Sequence, residues 1–143
     1  MVDKTILVVE DNKDDEALLL RALNKNDVNN KVVICRDGAE AIDWLFVNEE
    51  KEITENPDLI ILDLKIPKIC GLEVLRKIKS DDITKKIPVV VLTTSVEEND
   101  IRESYNLNAN SFIKKPIDFV EFTNVVKVLS KYWLNLNQNI PRN

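Results

Sequence analysis

Five short apolar runs rich in β-branched residues divide the chain: Thr5–Val9, Lys31–Cys35, Leu59–Leu62, 88–92 and Ser111–Lys114. Unbroken apolar runs of this length predict strands buried on both faces, as in a parallel sheet. Between them the spacing of apolar positions becomes helical. Residues 14–25 place Leu18, Leu19, Ala22 and Leu23 on one face, and residues 39–47 do so with Ala41, Ile42, Leu45 and Phe46. Residues 72–79 carry Leu72, Leu75 and Ile78, and residues 96–105 carry Ile101 and Tyr105. From Phe119 onward, Phe122, Val125, Val126, Leu129 and Trp133 mark the last helix. Ser95-x-x-Glu98 and Asp118-x-x-Glu121 read as two N-caps. Strict alternation of strand and helix implies right-handed crossovers and a three-layer, doubly wound α/β sandwich. Lys31 and Arg36 at the ends of the second run predict an edge strand.

Polar residues cluster where these strands end. The first run stops at Glu10-Asp11 and the third at Asp63. In open α/β sheets the carboxyl ends of the strands form the ligand crevice, so neighbouring strands would bring three carboxylates to one rim. Like charges that close repel, and a hard divalent cation such as Mg²⁺ would neutralise them. Thr93 and Lys115 close the fourth and fifth runs at the same rim. Three acids, a hydroxyl and an ammonium suit phosphoryl transfer: Asp63 as nucleophile, Lys115 and Thr93 on the phosphoryl oxygens.

Composition narrows the chemistry further. The 143 residues suffice for one domain, and the net charge of −5 with scattered basic residues argues against a nucleic-acid surface. There is no histidine, which removes Ser-His-Asp, Cys-His and His-ligated metal chemistry together. Cys35 and Cys70 form no CxxC pair, and no GxGxxG or GxxxxGK loop is present. No stretch has the length of a transmembrane helix and no signal-peptide core precedes the first strand, so a cytosolic protein is expected. The segment 48–56 reads as a solvated acidic loop.

With Ile6-Leu7-Val8-Val9-Glu10-Asp11-Asn12, Asp58-Leu59-Ile60-Ile61-Leu62-Asp63 followed by Pro67 and Gly71, Val91-Leu92-Thr93 and Lys115-Pro116, the chain resembles the receiver domains of two-component response regulators. The resemblance spans residues 4 to about 131. It implies a five-stranded parallel sheet of order 2-1-3-4-5. It further implies Asp63 as phosphoacceptor, and Glu10, Asp11, Asp63 and the backbone carbonyl of Lys65 around Mg²⁺. Thr93 matches the switch hydroxyl, Phe112 the switch aromatic and Lys115 the phosphate-pairing lysine, aimed inward by a cis Lys115–Pro116 bond. Cys70 and Thr94 depart from the commonest residues at their positions.

The extended second helix and the tail from Tyr132 are similar to stand-alone receivers that partner phytochrome-type sensor histidine kinases. The expectation is one receiver domain over 1–143, with 132–143 as a C-terminal extension and no output domain. Such a chain is a phosphoaccepting signalling protein, not a turnover enzyme. A homodimer through the fourth helix, fifth strand, fifth helix and tail is expected, unless Trp133 and Leu136 fold back as core. The main rival is an Asp-nucleophile phosphohydrolase of the haloacid dehalogenase type. It needs a second Asp two residues after the nucleophile, where this chain has Lys65. A receiver-like module without phosphoryl chemistry would lack an acid or the lysine, and none is missing here. A flavodoxin-like cofactor protein would need a hydroxyl-rich phosphate loop.

Overall fold

A computed structural model of the chain describes residues 4–25, 30–47 and 56–141. Five parallel strands, β1 (Thr5–Val9), β2 (Lys31–Cys35), β3 (Leu59–Leu62), β4 (Val89–Thr93) and β5 (Ser111–Lys114), form one sheet of order β2-β1-β3-β4-β5. The helices are α1 (Lys13–Lys25), α2 (Gly38–Ile42), α3 (Gly71–Ser80), α4 (Glu98–Asn106) and α5 (Phe119–Ser130). β2 is an edge strand, as its charged ends predicted.

Successive strand residues feed two cores, because side chains alternate across a sheet. Leu7, Val9, Ile60, Leu62, Val89 and Val91 pack with Ala41 and Leu45 and with Val74, Leu75 and Ile78 of α3. On the other face Ile6, Val8, Leu59, Ile61, Val90 and Leu92 pack under α1 and α5 through Leu19, Leu23, Phe122 and Val126. Both cores are apolar and nearly fully buried, so the strand ends are held in fixed register. Val9 is paired with Leu62, and Leu62 with Val91.

Capping explains where helices begin. Asn12 Oδ1 accepts the backbone N–H groups of Asp14 and Asp15 at 2.9 and 3.0 Å, so α1 starts at Lys13, one residue before the apolar pattern suggests. Asp37 does the same for α2, accepting from Glu40 N–H at 2.7 Å. Asp118 caps α5 through Glu121 N–H at 3.0 Å, as expected. The Ser95-x-x-Glu98 box is a correction. α4 starts only at Glu98 with Glu97 at the cap, so Ser95 lies too far upstream to reach the first turn's amides. Its hydroxyl donates to Asp100 instead. The stretch read as one helix over 39–47 is α2 continued by a π-helical turn, Asp43–Val47. Residues 48–55 of the acidic segment lie outside the described residues.

α5 runs on directly into a π-helical segment, Lys131–Leu136. Leu134 is buried in the α1/α5 core and Trp133 packs against it. Lys4 Nζ donates to the Leu134 carbonyl, and Asn139 Nδ2 to the Asp58 carbonyl at 3.0 Å. The tail thus covers the amino ends of β1 and β3. Trp133 is partly buried, as the alternative to a tail interface has it, whereas Leu136 stays exposed, along with Tyr132 and Ile140.

The chain's two glycines both serve the loop after Asp63. A Cβ on Gly71 would lie 2.5 Å from the Asp63 carbonyl oxygen and 2.5 Å from Leu64 Cα. One on Gly38 would lie 1.9 Å from the Ile69 carbonyl oxygen. These are backbone atoms, so no rotamer change relieves the clash. Gly71→Ala is expected to cost about 3 kcal/mol or more by overpacking, lowering Tm by about 10 °C in a thermal melt. An unchanged melt would contradict this tight closure beside Asp63.

Candidate functional site

The strand register carries four polar side chains to one rim. Glu10 N–H donates to the Cys35 carbonyl, Asp63 N–H to the Val9 carbonyl (both 3.0 Å) and Lys115 N–H to the Thr93 carbonyl (2.6 Å). Each bond extends a ladder past its strand's apolar run, so the polar residues inherit the sheet's rigidity. Glu10, Asp63, Thr93 and Lys115 are 6, 5, 0 and 5% exposed, and only Asp11 is open to solvent.

Lys115 is the hub. Its Nζ donates to Glu10 Oε2 at 3.0 Å, Asp63 Oδ2 at 3.0 Å and Asp15 Oδ2 at 2.8 Å. Thr93 Oγ1 donates to Asp63 Oδ1 at 2.8 Å, and the Lys65 N–H donates to the same oxygen at 3.1 Å. The Lys115–Pro116 peptide, expected to be cis, is trans, as is every described peptide bond. Lys115 reaches the rim without a cis bond, because its own N–H continues the β4–β5 ladder.

One ammonium faces the three carboxylates of Glu10, Asp15 and Asp63. Burial, then the Asp63 charge, pushes Glu10 up to about 8 despite Lys115. Burial also opposes the Asp63 carboxylate. Lys115's charge, hydrogen bonds from Glu10 and Lys115 and the Lys65 N–H outweigh it and hold Asp63 below its usual range. Burial likewise works against the Lys115 ammonium, but the Asp15 hydrogen bond and the Asp63 and Glu10 charges keep it above its ordinary value. Within the pair the shifts run in opposite directions, Glu10 upward and Asp63 downward.

Glu10, Asp11 and Asp63 each place a carboxylate oxygen within 4.8 Å of the others, a set of hard donors matching a divalent cation. Phe112, on β5, is half-buried against the α3-side core. Asp15 was not anticipated from sequence. It lies in the acidic first turn of α1, and its side chain returns to the rim only because that helix crosses over it. Cys70 and Thr94 are exposed, and neither forms a described bond to the pocket.

The sequence matches the model of the response regulator receiver domain over residues 6–127. Response regulator Rcp1 of Synechocystis sp. is 40% identical over 131 residues, covering 92% of this chain and 89% of its own. The "Probable methanogenesis regulatory protein FilR2" of Methanothrix harundinacea is 37% identical, covering 94 and 86%. The crystal structure of the phosphorylated cyanobacterial phytochrome response regulator RcpA superposes with a TM-score of 0.92 at 43% identity, covering 98% of this chain and all of that one. The Mn²⁺-bound form of Rcp1 gives 0.90 at 38%, covering 96 and 99%. The chain belongs to the response regulator receiver domain family and is a receiver of two-component signalling.

Proposed function

We propose that Asp63 accepts a phosphoryl group from the phosphohistidine of a sensor histidine kinase, and that the resulting surface change carries the signal. The observation carrying this reading is a buried carboxylate held between an ammonium at 3.0 Å and a hydroxyl at 2.8 Å. Having no histidine, the chain must take the group from elsewhere. An Asp63 oxygen attacks phosphorus, the P–N bond breaks, and its electron pair stays on the imidazole nitrogen. Lys115 and Thr93 then hold the phosphoryl oxygens of the acyl phosphate. The cation we assign is Mg²⁺, on Glu10, Asp11, Asp63 and the Lys65 carbonyl; when bound it offsets repulsion between the acids and the incoming group. As Thr93 moves to the phosphoryl group, Phe112 fills the space it leaves. With Lys65 two residues after Asp63, no second Asp supplies the proton transfer of a phosphohydrolase, so the adduct is a signal and not a turnover intermediate.

Similarity to RcpA, a phytochrome response regulator, supports a phytochrome-type kinase as donor. Two free cysteines suit the reducing cytoplasm. Among the described residues no helix is long and apolar enough to cross a membrane.

Asp11 tests the metal assignment, because it is exposed and its loss leaves the core intact. Asp11→Ala is expected to weaken Mg²⁺ binding by at least the roughly 10-fold that loss of an outer-shell partner costs. An unchanged Mg²⁺ titration would remove it from the site. For the homodimer, exposed Val128 and Tyr132 join Ile113, Val125 and Trp133 around one groove between β5 and α5. Light scattering with beryllofluoride, an acyl-phosphate mimic, should give twice the monomer mass. A monomer with and without it would end the dimer assignment.

A further inference from the structure

Asp100 is a buried acid that phosphoryl acceptance leaves unused. It lies in the first turn of α4, is 8% exposed, and accepts the Ser95 hydroxyl on Oδ2. The same oxygen lies 3.6 Å from the Lys65 ammonium. These two contacts close a ring that begins and ends on Asp63. Thr93 Oγ1 donates to Asp63 Oδ1 at 2.8 Å and receives the Ser95 N–H at 3.5 Å, the longest hydrogen bond of the ring. The Lys65 N–H donates to Asp63 Oδ1 at 3.1 Å. Asp63, Thr93, Ser95, Asp100 and Lys65 thus join the loops after β3 and β4 to the start of α4.

Two links of this ring share a single carboxylate oxygen. Charge makes that oxygen a strong acceptor, and converting the carboxylate to an acyl phosphate weakens it. The Lys65–Asp100 pair is the ring's easiest link to exchange. Its ammonium is 60% exposed, and ion pairs of that kind contribute little. A phosphoryl group of charge near −2, about as large as that of a phosphoserine, would form beside Lys65's own backbone and attract the ammonium more strongly.

We propose that Asp100 is a positioning residue: with Asp63 unmodified it ties α4 to the rim and keeps the Lys65 ammonium off the pocket. Phosphorylation opens the ring, Lys65 turns to the phosphoryl oxygens, and the first turn of α4 is released. The trigger rests on the phosphoacceptor reading of Asp63; the ring does not.

Hydrogen exchange of the α4 amides in the full chain, without phosphodonor, separates the two. Asp63→Ala should speed α4 exchange roughly ten-fold in the wild-type background, the loss of one charged hydrogen bond. In an Asp100→Ala background it should add nothing, because the ring is already open. Equal acceleration in both backgrounds, or none in either, overturns the proposal. Asp100→Asn replaces Asp100→Ala should the latter fail to fold. With acetyl phosphate and Mg²⁺, Asp100→Ala should also lengthen the adduct's half-life about three-fold, and Lys65→Ala should cancel that gain. An unchanged half-life overturns the positioning role. A wild-type chain that takes up no phosphoryl group contradicts the phosphoacceptor reading, and the exchange cycle still decides the ring.

Discussion

Asp63→Asn is expected to abolish the phosphoryl adduct while the chain stays folded. The carboxylate oxygen is the attacking atom, and its amide isostere is a far weaker nucleophile. The fold should tolerate the change because Lys115 keeps Glu10 and Asp15, and because the Asp63 charge is among the causes that push Glu10 up. Intact-mass spectrometry after acetyl phosphate and Mg²⁺ should show one phosphoryl group on the wild type and none on the variant. A thermal melt should differ by only a few degrees, since the variant removes a repulsion as well as an ion pair. A variant still gaining the phosphoryl group would move the acceptor elsewhere.

Lys115→Met should have the second largest effect, and it should appear in both stability and chemistry. Methionine keeps an unbranched stem but removes the cation shared by Glu10, Asp15 and Asp63. Stranding buried carboxylates by deleting their partner costs about 3 kcal/mol or more. The pH dependence follows from the directions of the shifts. Asp63, held low by Lys115, contributes stability above its unfolded pKa and loses it as pH falls through the folded value. Lys115, held high, contributes below its unfolded pKa and loses it as pH rises through the folded value. The variant's deficit is therefore largest near neutral pH and shrinks in acid, where the stranded carboxylates take up protons. Mg²⁺ should also shrink it. Phosphorylation by acetyl phosphate should slow roughly 10²-fold, the lower range for losing one preorganised charge-stabilising donor. Equal melts for variant and wild type at neutral pH would contradict the hub role of Lys115.

All five strands were legible, because buried parallel strands write themselves as unbroken apolar runs such as Leu59–Leu62. The pocket followed from the same logic, since Glu10, Asp63, Thr93 and Lys115 stand where those runs stop. Sheet order did not follow from the runs themselves; it came with the family resemblance. Helix starts slipped by a residue wherever a side-chain cap, Asn12 or Asp37, lies outside the apolar periodicity. The Ser95 box failed because α4 begins only at Glu98, which leaves Ser95 upstream of its first turn, where its hydroxyl donates to Asp100. Asp15 and Asp100 were invisible as pocket neighbours. Their part depends on how α1 and the β4–α4 loop pass over the rim, and local spacing does not encode that. The cis bond was implied by the family resemblance; the peptide here is trans, and Lys115 is held at the rim by its backbone bond to Thr93 and by its ion pairs with Glu10, Asp15 and Asp63.

Mapping the adduct shows whether Asp63 is the residue that becomes phosphorylated. The wild-type chain is treated with acetyl phosphate and Mg²⁺, then with borohydride, which reduces an aspartyl phosphate to homoserine and releases phosphate. Peptide mass spectrometry then locates the altered residue. Homoserine is expected at position 63 alone, dependent on both the donor and the cation. Homoserine at another carboxylate, or a phosphoryl group that persists on a hydroxyl through reduction, would contradict it.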